Sequence, residues 1–358
     1  MEALCQISLQ AIRKNYEYFG KRAKSAKVIP VVKANAYGHG AVKVSQYLFQ
    51  ESGVETFAVA TLEEAQVLAA ALPEITILIF SRVFPAELPQ VPSQAILTVG
   101  SLEDAQALNT VLDKKINVHL NINTGMNRLG VTEEEALRLI RDKESNLIIS
   151  GVYSHFSSAD TADMRVYMGQ NTRFQSIVKK LRDAGFNGDV HLSNSAGALH
   201  DSQDFYNGMR LGIGLYGYDT SAEGLHQSKL EPAMQVKAPL IRVQRIQPGA
   251  SVSYAEKWQA TIATNIGTLR IGYADGYSRG LTNRGMVSYK GKMYPVVGTV
   301  TMDHIMIDLG DDVLDPGVIM TVMGGDMEPI KVNEISKMLN TIPYEICCAI
   351  SARVKRQY

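Results

Sequence analysis

Eight short apolar runs, separated by stretches of helical period, constrain this chain more tightly than any other feature. They lie at 28–33, 56–60, 76–80, 95–99, 116–123, 147–155, 189–193 and 210–216. The runs are continuous rather than alternating, which is the pattern of parallel strands buried on both faces. The intervening segments carry recognisable helix starts. Ser8 precedes LQAIRKNYEYF, Thr61 precedes LEEAQVLAAAL and Ser101 precedes LEDAQALNTVL. Glu64 and Asp104 fall three residues after their hydroxyls, the spacing of a capping box or a near variant. Residues 164–184 read as a longer helix. Eight strands alternating with helices over residues 8–232 predict a closed (β/α)8 barrel of the TIM type. A doubly wound open sheet is the alternative, but no G-x-G-x-x-G follows the first strand.

The texture changes near Pro232. From there to about Gly325 the pieces MQVKAPLIRVQRI, ASVSYAEKW, IGTLRIGYADGY and YPVVGTVTMDHIMIDLG are strand-like, rich in Val, Ile and Thr and broken by Gly. One late helix is expected, at 332–339. The predicted fold is therefore α/β, a barrel over 8–232 followed by a mainly β domain over 233–358, with residues 1–7 packed on the latter. At 358 residues the chain exceeds what a single core usually holds, which agrees with two domains.

Lys plus Arg and Asp plus Glu both number 36, so charge gives no reason to expect nucleic acid or an anionic membrane as partner. No apolar run approaches the roughly 18–20 residues that span a bilayer. The start, MEALCQISLQAIRKN, lacks a basic stretch followed by an apolar one, so no signal peptide is expected. Three cysteines, Cys5, Cys347 and Cys348, make a poor disulfide framework and suit a reducing compartment. A cytoplasmic protein with a small ligand in a local pocket is expected.

In such a barrel the chemistry sits where strands end. The first run ends in Pro30-Val-Val-Lys33-Ala-Asn-Ala-Tyr37-Gly-His39-Gly40. A lysine there is either a surface residue at a strand terminus, the simpler reading of position alone, or a desolvated amine able to bond an aldehyde. The fifth run leads through Asn121 and Asn123 to Arg128, whose guanidinium follows a glycine turn and can meet an anion. The sixth ends at His155, which is as easily structural as functional. The seventh gives Asn194 and Ser195, the eighth Arg210, Gly212 and Ile213. Loops after the last two barrel strands commonly hold phosphate on backbone N–H groups. With Lys33, they suggest a phosphorylated aldehyde cofactor. Arg210, buried in a strand, is expected to face the pocket. An arginine on a pyridine nitrogen leaves that nitrogen unprotonated, a weaker electron sink, as a racemase needs. Racemisation also needs a second acid–base group, and the tyrosines at 254, 273 and 277 offer one, although they also read as ordinary sheet aromatics.

The segment VVKANAYGHG closely resembles the lysine signature of bacterial alanine racemases, enzymes of fold type III that use pyridoxal 5′-phosphate (PLP). NTGMNRLG, GVYSHFS, SNSAGAL, MRLGIGLYG, VSY, IGYADGYSRGL, GTVTMDHIMIDLG and PYEICCAIS follow in family order from residue 31 to about 350. The resemblance implies that Lys33 is the Schiff-base lysine and one of two bases, and that Tyr254, from the second subunit of a head-to-tail homodimer, is the other. His155 would link Tyr254 to Arg210, and Arg210 would sit on the pyridine nitrogen. Tyr37, Asn194, Ser195, Gly212, Ile213 and Tyr344 would hold the phosphate. Arg128 and the backbone of Met302 would contact the substrate carboxylate, and Tyr273 and Tyr344 would narrow the entrance. The implied reaction interconverts L- and D-alanine, for peptidoglycan or for catabolism.

Two positions depart from the family. Many relatives carry a carbamylated lysine where this chain has Asn121, two residues before Asn123, and asparagine cannot supply that charge. A bound chloride near Asn121 and Arg128 is expected to replace it. Relatives usually have Gly after the tyrosine, where this chain has Ala255. Among rivals, a serine or broad-specificity racemase would tend to lose the tyrosine kept here as Tyr344. A non-catalytic PLP-binding barrel would not need the β domain. A metal-dependent hydrolase using His119, His155 and His191 would want ligands near the first strand rather than Lys33. A PLP decarboxylase would place an acid where Arg210 stands.

Overall fold

The computed structural model of the protein describes residues 1–200, 206–222, 225–226 and 228–358. A short strand, β1 (Leu4–Ile7), comes first, and its partners among the described residues lie beyond residue 232. The next eight strands pair among themselves. They are β2 (Lys27–Pro30), β3 (Thr56–Val59), β4 (Thr76–Ile79), β5 (Ala95–Val99), β6 (Ile116–Asn121), β7 (Leu147–Tyr153), β8 (Asp189–His191) and β9 (Gly208–Leu211). Their order, β2-β9-β8-β7-β6-β5-β4-β3, is parallel at each pairing. A parallel bridge from Val31 to Ala58 returns β2 beside β3. The expected eight-stranded parallel barrel is present.

The helices between the strands begin where their caps dictate. Thr61 Oγ1 accepts the Glu64 N–H at 3.3 Å and the Glu64 carboxylate accepts the Thr61 N–H, a reciprocal box that opens Leu62–Ala71. Thr132 and Glu135 do the same for Glu133–Arg141. At Leu102–Val111, Ser101 accepts the Asp104 N–H at 3.1 Å. Each hydroxyl cap contributes about 1 kcal/mol. The long helix spans Arg165–Asp183.

Several strands are shorter than their apolar runs. β2 stops at Pro30, and Ala34, Asn35, Ala36 and Tyr37 then wind in the left-handed region with φ of 51–55°. β9 stops at Leu211, and residues 213–216, expected as strand, form a 3-10 turn (Ile213–Tyr216) instead. Gly212, at φ −92°, ψ −114°, redirects the chain there. The stretch is apolar because it is buried, not because it is extended.

Packing divides the chain into two units. One comprises Ile12–Ala36 and Ala41–Glu231 and holds the barrel; the other comprises Met1–Ala11, Tyr37–Gly40 and Pro232–Tyr358. The second is built on β10 (Met234–Ile246), with β11 (Thr264–Leu269), β12 (Met286–Tyr289), β13 (Lys292–Pro295), β14 (Ile305–Gly310), β15 (Ile319–Met323) and β16 (Lys355–Gln357). A path β13-β12-β15-β10-β1-β16 runs through it, and β11 joins β10 to β14. All pairings are antiparallel except β1 with β16. The segment ASVSYAEKW is not a strand but a loop around a tight turn, Tyr254–Glu256. A second late helix, Pro343–Ala349, joins the expected Val332–Leu339. It has seven residues, starts on a proline and lacks a side-chain cap, so it leaves no periodic or capping signal. No helix of the described residues is long and apolar enough to cross a membrane.

Candidate active site

Strands β5 to β9 each turn one polar side chain into the barrel: Thr98, His119, Tyr153, His191 and Arg210, all buried. Gly151 on β7 makes room for this layer, because a Cβ there would lie 2.4 Å from His119 Nε2. Arg210 is 3% exposed. Its Nη1 donates to His191 Nδ1 at 2.9 Å and to the His191 carbonyl at 3.0 Å. Its Nη2 donates to the carbonyls of Ser154 and Leu192 at 2.5 and 3.0 Å and to His155 Nδ1 at 3.3 Å. The guanidinium also lies 4.9 Å from the Tyr153 ring centroid, and Tyr153 shares a hydrogen bond with Thr98 at 3.0 Å.

This network fixes the imidazole protons. Burial, with Arg210 beside it, holds the His191 pKa well below its ordinary value. Its Nδ1 accepts from Arg210, so the proton sits on Nε2 and is donated to His119 Nδ1, 3.0 Å away. Burial lowers His119 to about 4. His155 falls to about 3 through burial, then the charges of Arg210, Arg128 and Lys33. It is neutral at pH 7, with Nδ1 occupied by Arg210 and Nε2 left as the donor. Arg210 is lowered by burial to about 10 and stays charged.

Lys33 opens the left-handed turn. Glu64 braces the turn directly: its Oε1 accepts the Ala34 N–H at 2.6 Å while Oε2 accepts that of Ala60 at 2.8 Å. The Ala36 N–H returns to the Val32 carbonyl at 2.8 Å, and Asn35 Oδ1 accepts the Ala41 N–H at 2.9 Å. At β8 and β9 two short turns converge on one hydroxyl. Ser195 Oγ accepts the N–H of Gly212 at 3.0 Å and of Gly214 at 3.1 Å, so its own proton points away from both and can serve an anion. Asn194 caps its turn, accepting the Gly197 N–H at 2.9 Å and donating to the Phe156 carbonyl at 3.3 Å. An amine, a fixed cation and hydroxyl and amide donors suit a phosphorylated aldehyde.

Arg128 is exposed, yet it lines a small polar cavity with Asn121, Asn123, Thr124, Ser154 and His155. Asn123 is committed to its own turn, accepting the N–H groups of Gly125 and Asn127 at 3.0 and 3.2 Å. The imidazoles of His119, His155 and His191, weighed above as metal ligands, bond instead to one another and to Arg210.

The strand unit holds the other positions. The rings of Tyr37 and Tyr344 lie 5.8 Å apart. Tyr254, Tyr273 and Met302 are exposed, Tyr254 at 71%. Tyr273 and Ala274 donate their N–H groups to the carbonyls of Thr301 and Met302, both at 3.0 Å. Arg353 holds this pair of turns, bonding Asp303 at 2.8 Å and buried Asp275 at 3.1 Å. Asp275 in turn accepts the Gly272 N–H at 2.9 Å.

Sequence reasoning missed the bracing role of Glu64, although its capping spacing was visible, and the clasp made by Arg353. It missed the supporting role of His191 and His119, although His191 ends a barrel strand and His119 lies within one.

The family model described as alanine racemase, N-terminal domain, matches residues 7–220, and that described as alanine racemase, C-terminal domain, matches 233–358. Alanine racemase 2 of Bacillus subtilis is 36% identical over 374 residues, covering 100% of this chain and 94% of the relative. The crystal structure of alanine racemase from E. faecalis superposes with a TM-score of 0.92 at 34% identity, covering 99% of this chain and 98% of the other. That of alanine racemase from Bartonella henselae, with covalently bound pyridoxal phosphate, superposes at 0.89 and 30%, covering 100% and 99%.

Proposed function

The chain belongs to the alanine racemase family, and we propose that it interconverts L- and D-alanine with PLP, using Lys33 and Tyr254 as acid–base groups on opposite faces of the α-carbon. One observation carries the reading. Arg210 is a buried cation whose hydrogen-bond acceptors among the described residues are two imidazoles and three carbonyls. A group that can only donate, held where a PLP enzyme of another class would need an acid, suits proton transfer without further chemistry.

PLP, when bound, supplies an aldehyde for the lysine and a ring that draws charge from the α-carbon. The chain does the rest. Ser195, with the turn at Gly212 and Ile213, would bind the phosphate; Asn194 caps the turn that carries Ser195, and Tyr37 and Tyr344 would complete the phosphate site. Arg210, whose terminal nitrogens are taken up by the network, would donate to the ring nitrogen from Nε. Neutral His155, with its Nε2 proton free to donate, stabilises a phenolate on Tyr254 and so lowers the barrier to its acting as a base. The exposure of Tyr254 supports its delivery from a second copy of the chain in a homodimer, with Met302 and Tyr273. Arg128 receives the substrate carboxylate, and a chloride beside it and Asn121 offsets the charge an acidic partner would have given.

The test is an absorbance spectrum of the purified protein, then addition of L-alanine with an assay for D-alanine. A band of lysine-bound PLP with D-alanine appearing is expected. The band without D-alanine moves the substrate to serine or another amino acid. No band after adding PLP removes the role of Lys33.

A further inference from the structure

The backbone around Tyr254 departs from relaxed geometry. Ser253 has φ 67°, Ala255 φ 61° and Glu256 φ 47°. None is glycine, and L-residues avoid this region. Such a segment persists only where its surroundings over-determine it. The surroundings here are one loop. Thr299, buried to 2% exposure, donates its hydroxyl to the Tyr254 carbonyl at 2.8 Å, and its own carbonyl accepts the Ser253 hydroxyl at 2.7 Å. The residue before it, Gly298 at φ 76°, carries no Cβ, and one there would fall 2.4 Å from the Val252 carbonyl. Asn283 ties the far end, accepting the Gly298 N–H at 2.6 Å and donating to the Lys257 carbonyl at 3.0 Å. The Val252 N–H donates to the Trp258 carbonyl at 3.1 Å and closes the loop.

The phenol ring is mostly in solvent, so its aim is set by this backbone rather than by packing of the ring. We propose that Thr299 is a positioning residue for Tyr254, its buried hydroxyl fixing the strained 253–256 segment in the conformation that presents the phenol, with Ser253 as reciprocal partner. The same loop seats Tyr273 and Ala274 on Thr301 and Met302, so one short segment sets the spacing of both tyrosines. The proposal rests on the assignment of Tyr254 as an acid–base group.

Four variants test it in the full-length protein: Tyr254→Phe, Thr299→Val, Thr299→Ser and Ser253→Ala. Exchange of the α-proton with deuterated solvent is measured from L-alanine and from D-alanine separately in the holoenzyme. Amide hydrogen exchange over residues 252–258 is measured in the PLP-free protein. Tyr254→Phe should slow one enantiomer far more than the other. Thr299→Val should slow that same enantiomer about tenfold more than its mirror image and quicken amide exchange at 253–256. Ser253→Ala, a change at an exposed residue that keeps the fold, should do both more weakly, and Thr299→Ser should restore parent behaviour. Equal slowing of both enantiomers by Tyr254→Phe removes the premise. Asymmetry in Tyr254→Phe without asymmetry in Thr299→Val and Ser253→Ala, or unchanged amide exchange in both, overturns the role of Thr299 while leaving that of Tyr254.

Discussion

Arg210 and Tyr254 are aimed in opposite ways. Arg210 is held by its side chain: five acceptors in the buried interior meet its two terminal nitrogens. Tyr254 is held by its main chain, pinned by Thr299 while the ring stays in solvent. The barrel therefore presets electrostatics, seen in the lowered His119 and His155. The loop presets geometry and leaves the phenol's surroundings to whatever covers it. A group that must keep one charge state gains from burial. The proposed base, which must change state, would gain from a fixed backbone and from surroundings that the proposed second subunit brings.

The largest effect expected from this contrast is on stability. Arg210→Met leaves the His191 and His155 nitrogens and the carbonyls of Ser154, His191 and Leu192 without their donor; at about 1–3 kcal/mol for each buried group left unsatisfied, several kcal/mol should be lost in urea unfolding. Tyr254→Phe, at an exposed ring, should stay within about 0.5 kcal/mol. Comparable losses in the two variants would break the comparison.

Next comes pH. His119 titrates at about 4 when folded against 6.5 ordinarily. The unfolded chain thus takes up a proton that the folded one refuses as pH falls through this window. The stability associated with neutral His119 is present above pH 6.5 and lost progressively toward pH 4, by about 3 kcal/mol from this group alone. His155, lowered to about 3, adds in the same direction. Denaturant midpoints at pH 7 and pH 5 check the sign, and His119→Phe should flatten the slope.

Glu64→Ala removes the carboxylate acceptor of the Ala34 and Ala60 N–H groups and should cost about 2 kcal/mol. The absorbance of lysine-bound PLP should broaden or weaken with it, which a purely helical role of Glu64 would not produce. The smallest expected effect is at the strained loop. Ala255→Gly relieves a left-handed alanine but loosens the unfolded chain, so the net gain should be under about 1 kcal/mol by thermal melt. A destabilisation there would mean that Ala255 is not strained.

The strands of the barrel were legible because burial on both faces leaves continuous apolar runs, and the strand-end search led to Lys33, Arg128, His155, Asn194, Ser195 and Arg210. What stayed hidden has no local signature. His119, Tyr153 and His191 form one layer only because neighbouring strands bring them level. The turn after Lys33 is left-handed without a glycine to announce it, since Ala-Asn-Ala reads as helix or loop. Thr299 finds the Tyr254 carbonyl across 45 positions of sequence, and no spacing rule marks such a pair.

The pairing of β1 has a consequence in time. Its partner Met234 lies beyond the whole barrel, and Ile7 cannot meet it until that residue has been made. At cellular synthesis rates the delay is on the order of tens of seconds. During it, β1 leaves the ribosome as an unpaired edge ahead of a barrel that can already close. The parallel strand Lys355–Gln357, which flanks β1 on its other side, arrives later still. Residues 4–7 are thus made before the barrel and locked after it, and the strand sheet forms around a segment that has waited for it.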